Sequence, residues 1–130
     1  MITAVVTGAA GFIGSNFVRL FLGEANVHVV IVDKLTYAGH PATLVDLQRD
    51  GRVSVLQEDI TDEQAMQSIF QRYTPTWVVN FAAESHVDRS IDDPEPFLKT
   101  NTFGTYVLLE AARRLLARSD EQVKRDFRFL

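Results

Sequence analysis

The chain has 130 residues, 46% of them hydrophobic, a formal net charge of −4 and no cysteine. That length suits one domain with a real core. The missing cysteine excludes a disulfide framework and a thiolate metal site, and the acidic balance argues against a nucleic-acid or acidic-membrane partner. No basic leader or long apolar span is visible, so a soluble, cytoplasmic protein is expected.

Residues 2–7 are β-branched and apolar, as a buried parallel strand should be. They run into Gly8, Gly11 and Gly14, spaced G-x-x-G-x-x-G. Phe12, Ile13, Phe17, Leu20 and Phe21 then recur at helical spacing through residue 22, with Gly23 as the expected stop. Strand, glycines and helix in that order suit a pyrophosphate. The turn is too tight for a Cβ, the backbone N–H groups come close to the anion, and the positive end of the helix points at it. A second strand, residues 27–32, ends in Asp33. An acidic residue roughly 20–25 positions downstream of the first glycine is placed for a ribose 2′-hydroxyl.

Residues 33–40 read as a loop. Pro41 opens a helix carried by Leu44, Val45 and Gln48 to the Asp50-Gly51 turn. A third strand follows at 53–56. Thr61 or Asp62 caps a helix running to about residue 73, with Ala65, Met66, Ile69 and Phe70 facing inward. Pro75 separates it from a fourth strand at 77–81, where Trp77 is expected to pack. Residues 84–96 are polar and contain proline. A long helix then runs from about 97 to 117, with a stripe formed by Phe97, Thr100, Phe103, Gly104, Val107, Leu108, Ala111, Leu115 and Leu116. The stripe is wide enough for a contact beyond the sheet. Residues 119–126 read as a charged, exposed loop, and 127–130 as the first residues of a fifth strand.

Strand–helix alternation predicts an α/β fold: a Rossmann-like, doubly wound parallel sheet with strand order 3-2-1-4-5. Residues 1–130 would be a single nucleotide-binding domain, cut at the start of strand 5, so the chain is expected to be the N-terminal part of something longer. Ligands of such sheets lie at the carboxyl ends of the strands, here at Thr7-Gly8, Asp33, Asp59 and Phe81-Ala82-Ala83. Less interesting readings cover the rest. Ser85, His86 and Asp88 are neighbours on one short loop with no nucleophile elbow, so they make no triad. His28, His40 and His86 lack metal-ligand spacing. Thr61-Asp62-Glu63 sits at a helix start, where such residues cap. Glu84 either touches a ligand or orients its loop.

Five segments together resemble one family. They are VTGAAGFIGSNFVR (6–19), DKLTYAG (33–39), EDIT (58–61), FAAESHVDRSI (81–91) and TNTFGTYVLLEAAR (100–113). The first resembles extended short-chain dehydrogenases acting on nucleotide sugars, and the second and fourth narrow this to the dTDP-glucose 4,6-dehydratases. Ala9, where glycine is common, and His40-Pro41 after YAG depart from the pattern. The resemblance implies NAD as cofactor, dTDP-glucose as substrate and a homodimer built partly by the long helix. It gives the pyrophosphate to the amides of Phe12 and Ile13 and the adenosine ribose to Asp33, Lys34, Leu35 and Thr36. Asp59 and Ile60 would flank the adenine. Ala82, Ala83 and Glu84, after Phe81, would line the nicotinamide side, and Thr100 would reach the cofactor from the long helix. Ser85 would meet the substrate.

In that family hydride leaves sugar C4, water is lost across C5 and C6, and hydride returns to C6. The chemistry uses a tyrosine with a lysine four residues on and a Thr-Asp-Glu set. Four positions before Lys34, Lys99 and Lys124 stand Val30, Glu95 and Asp120, so these 130 residues contain no Tyr-x-x-x-Lys and, as given, are expected to be inactive alone. Another nucleotide-sugar epimerase or dehydratase, and a non-catalytic NAD-binding module, remain open alternatives.

Overall fold

The computed structural model describes residues 1–36 and 41–130. Tyr37, Ala38, Gly39 and His40, which end the DKLTYAG motif and the expected 33–40 loop, lie outside the described residues. Five strands form one parallel sheet: β1 (Ile2–Thr7), β2 (Val27–Asp33), β3 (Val53–Gln57), β4 (Trp77–Asn80) and β5 (Arg128–Phe129). Their order is β3-β2-β1-β4-β5, as the alternation predicts. Side chains alternate along each strand, and so the sheet makes two cores. Ala4, Val6, Val29, Ile31 and Val79 face α1 (Phe12–Glu24). Val5, Val30, Val32 and Val78 face the other helices.

On the first face α1 buries Gly14, Ser15, Val18 and Leu22. Phe12, Ile13 and Leu20, read from spacing as part of the apolar face, are exposed instead. Phe17 and Phe21 are half-buried, and Phe21 stacks on Trp77 at 5.4 Å. Gly23 does not stop the helix, which runs one residue further to Glu24 and is closed by the Ala25 amide on the Phe21 carbonyl. A glycine at the penultimate position of a helix costs it at most about 1 kcal/mol relative to alanine, so it is tolerated there. In place of the helix expected after Pro41 there are two short 3₁₀ turns, Pro41–Leu44 and Leu47–Arg49, whose Leu44 and Leu47 plug the core under α1. Arg19 ties them down, its guanidinium donating to Asp46 and to the Thr43 carbonyl at 2.7 Å.

On the second face lie α2 (Glu63–Tyr73), which buries Met66, Ile69 and Phe70, and a long helix. Asp62 caps α2, accepting from the Ala65 amide at 2.9 Å, and Ala65 itself is only half-buried. The long helix starts at Glu95 rather than 97 and ends at Leu116. Its middle, Leu98–Gly104, is π-helical, between α4 (Glu95–Phe97) and α5 (Thr105–Leu116). Its buried side is Thr100, Gly104, Val107, Leu108, Ala111 and Ala112. Two segments expected to be irregular contain short helices: α3 (Val87–Asp92) inside the polar 84–96 stretch and α6 (Glu121–Asp126) inside the charged 119–126 stretch. Neither buries a residue. Hydrophobic periodicity has nothing to report for such helices. Asp120 caps α6 through the Val123 amide, a signal that was present in the sequence. Among the described residues no helix is long and apolar enough to cross a membrane.

Candidate functional site: a crevice at the carboxyl ends of the strands

The sheet order puts β1 in the centre, with β2 on one side and β4 on the other, and the crossovers leave in opposite directions from that point. A crevice of about 470 Å³ opens there. Its floor is the glycine loop. Gly8 has φ +67°, and a Cβ on it would lie 2.5 Å from the Ala82 nitrogen and from the Phe81 carbonyl carbon. No side chain fits between β1 and the chain leaving β4. A Cβ on Gly14 would come within 2.6 Å of the Gly8 oxygen, so α1 packs directly on the loop. At Gly11 the nearest atom to such a Cβ is 3.3 Å away, a much looser fit. The start of α1 has no side-chain cap and no acidic residue in its first turn. Its first amides and the positive end of its dipole are therefore left for an anion.

Asp33 ends β2 and holds two segments. One carboxylate oxygen accepts from the Ala10 amide in the glycine loop at 2.9 Å, the other from its near neighbour Leu35 at 2.8 Å. Each oxygen keeps a second lone pair for a hydroxyl. Lys34 and Glu84, on opposite lips, form an ion pair at 3.3 Å. At the far end Asp59 accepts from both the amide and the hydroxyl of Thr61, at 2.9 and 2.8 Å. Burial alone would push the Asp59 carboxyl up. The two Thr61 hydrogen bonds, with Lys34 and Lys99 nearby, outweigh it and hold the carboxyl below its ordinary value.

The lining contains nearly every residue singled out above: Gly8, Gly11, Phe12, Ile13, Gly14, Asp33, Lys34, Thr36, Asp59, Ile60, Phe81, Ala82, Ala83, Glu84, Ser85 and Thr100. Phe12 and Ile13 stand at its mouth, 84% and 68% exposed. Leu35 is placed differently. Its φ is +55°, and its side chain packs on the core beneath α1 rather than on the crevice wall. Its part here is the amide it gives Asp33.

Several contributors were missed. Val32 and Glu58 also line the crevice. Behind it runs a polar relay. The Ala82 backbone amide donates to the Thr7 hydroxyl at 3.3 Å, and that hydroxyl donates to Oδ1 of the Asn80 side chain. The Asn80 side-chain Nδ2 donates to the Thr105 hydroxyl at 3.3 Å, which in turn donates to the Asn101 main-chain carbonyl at 2.9 Å. Asn80 was detectable as an asparagine closing the apolar Trp77-Val78-Val79 run, a residue strands disfavour. Gly104 was read only as part of a stripe. A Cβ there would sit 2.5 Å from Ile60 Cδ1, so this glycine lets the long helix close on the crevice wall at Ile60.

A family model described as GDP-mannose 4,6 dehydratase matches residues 5–130. The chain belongs to that family. It is 50% identical over 125 residues to dTDP-glucose 4,6-dehydratase 1 of Escherichia coli, which takes in 96% of this chain and 35% of that protein. Among solved structures, the dTDP-glucose 4,6-dehydratase of Streptomyces venezuelae with NAD bound superposes with a TM-score of 0.82 at 39% identity, over 88% of this chain and 36% of that one. The UDP-glucose 4-epimerase of Thermus thermophilus in complex with NAD gives 0.77 at 31%, over 88% of this chain and 34% of that one. The chain thus spans about 35% of the length of the relatives it matches. The resemblance drawn from the five motifs therefore holds across nearly all of it.

Proposed function

We propose that these residues form the NAD-binding part of a dTDP-glucose 4,6-dehydratase. The observation that carries the reading is the 50% identity over 125 residues to the Escherichia coli dTDP-glucose 4,6-dehydratase. The crevice fits the cofactor. Two glycines stand where a Cβ has no room, the amides at the start of α1 are uncapped, and a carboxylate with spare lone pairs ends β2. Asp33 favours NAD over NADP, because a carboxylate repels a 2′-phosphate.

NAD, when bound, supplies reversible hydride acceptance, which lets a dehydratase oxidise the sugar at C4, lose water across C5 and C6 and return hydride at C6. The residues here bind and orient. Phe12 and Ile13 would give their amides to the pyrophosphate, Asp33, Lys34 and Thr36 would surround the adenosine ribose with Leu35 acting through the amide it gives Asp33, and Asp59 and Ile60 would flank the adenine. Phe81, Ala82, Ala83 and Glu84 would line the nicotinamide side, Thr100 would contact the cofactor from the long helix, and Ser85 would meet the sugar nucleotide. The tyrosine–lysine pair and acid–base set are not among these 130 residues, so these residues alone should turn nothing over, and with half the crevice unformed they should bind NAD weakly. A homodimer joined along the long helix, where Leu98, Phe103, Tyr106 and Leu109 are exposed, and a cytoplasmic location belong to the same reading.

The test is to purify the protein as its source cell makes it and supply dTDP-glucose, UDP-glucose and GDP-mannose in parallel. Loss of one water from dTDP-glucose in strong preference, read by mass spectrometry, is the expected result. Epimerisation without loss of water would move the assignment to the epimerases. An intact mass of 14.6 kDa with no turnover would move it to a binding module.

A further inference from the structure

Asn101 sits on the exposed side of the π-helical segment, one residue after Thr100, which lines the crevice. Its side chain makes two hydrogen bonds, both to one residue seventeen positions earlier. The Glu84 amide donates to Asn101 Oδ1 at 2.9 Å, and Asn101 Nδ2 donates to the Glu84 carbonyl at 3.0 Å. A carboxamide paired in this way copies the bonding of a neighbouring β-strand. The reversed amide would set N–H against N–H and C=O against C=O, so the orientation is fixed by both partners. Glu84 and Ser85 belong to no helix or strand, and β4 ends at Asn80. The residue so held also carries the carboxylate that pairs with Lys34 across the crevice.

We propose that Asn101 is a positioning residue for the cofactor crevice. By clamping both peptide groups of Glu84 it sets the height of the Glu84–Ser85 loop and keeps the Lys34–Glu84 bridge across the two lips. This rests on the reading that NAD occupies the crevice. Within the π-helical stretch Thr100 lies in the crevice wall and Asn101 meets the loop beside it. The Asn101 main-chain carbonyl accepts from Thr105, so the same residue also ends the relay from Thr7 and Asn80.

The test uses the full protein carrying Asn101→Ala and Asn101→Leu. The site is exposed and helical and both residues are good helix formers, so folding is retained. Hydrogen exchange of the ligand-free protein is expected to show the Glu84 amide losing protection by roughly tenfold or more in both variants, with α1 and β1 unchanged. The NAD dissociation constant, by calorimetry, is expected to rise about tenfold, because the loop must then be ordered on binding. Agreement between the two variants would assign the effect to the lost hydrogen bonds rather than to lost volume. Unchanged exchange at Glu84 would overturn the clamp. Faster exchange with NAD affinity within about twofold of the parent would overturn its role in the crevice. A parent protein that binds no NAD would defeat the functional reading instead, and exchange at Glu84 would still decide the clamp.

Discussion

Replacing Gly8 with alanine tests the reasoning about the crevice floor most directly. Two costs add. The backbone at φ +67° lies in the left-handed region, which costs an ordinary L-residue about 1–2 kcal/mol. The new methyl would also stand 2.5 Å from the Ala82 nitrogen and the Phe81 carbonyl carbon and 2.7 Å from Ala82 Cα. These are backbone atoms at the end of β4, where the Phe81 amide is bonded to the Thr7 carbonyl, so no side chain can swing away. Overpacking against a partner that cannot rotate aside belongs at the upper end of the usual range of about 1–3 kcal/mol. Together the loss is about 4 kcal/mol, a large part of the ~5–15 kcal/mol that holds a domain folded. Gly23→Ala is the control. Nothing lies within 4 Å of its added methyl, and a helical glycine replaced by alanine gains roughly 0.5–1 kcal/mol. Urea unfolding of the two variants should therefore move in opposite directions. A Gly8→Ala loss below about 1 kcal/mol would show that β1 and β4 separate easily, and the account of the floor would be wrong.

The same logic at Gly104 gives a softer outcome, since the overlap is with the tip of Ile60 rather than with backbone. Gly104→Ala should cost about 1–3 kcal/mol, and Ile60→Val in the same chain should relieve part of it; strictly additive losses would refute the contact. The Asp59 carboxyl, held below its unfolded value of 3.8, adds stability that is present above about pH 4 and drains away as pH falls through the lower folded value. Thr61→Val removes one of the two donors, so Asp59 should titrate closer to its ordinary value by NMR and acid unfolding should begin at higher pH; an unmoved midpoint would sink the attribution to Thr61. Asp33→Arg in the full protein should weaken NAD binding and also destabilise the fold by about 1–3 kcal/mol, because the buried Ala10 amide loses its acceptor. Unchanged NAD affinity in calorimetry would contradict the ribose role.

The sequence by itself determined the strand order, because apolar runs of β-branched residues alternating with helical spacing admit few right-handed crossovers. It also located the crevice, because glycines, Asp33, Asp59 and Phe81-Ala82-Ala83 each fall at a strand end, and strand ends converge whatever the details of packing. The motifs set the family for the same local reason: they are contiguous. The misreadings share a cause as well. α3 and α6 bury nothing, so no apolar period marks them. Phe12, Ile13 and Leu20 fit a helical period but face outward, since periodicity finds an angle and not the side that meets the sheet. Tertiary structure alone decided what joins residues far apart in the chain. Gly104 is one more member of a helical stripe until Ile60 lies beneath it. Lys34 and Glu84 are ordinary charges until the two lips bring them to 3.3 Å. Asn101 is one polar residue on an exposed helix until the π-helical turn sets its carboxamide against the Glu84 peptide. A hydrogen bond or a close approach depends on distance, and only the folded backbone sets the distance between residues remote in sequence.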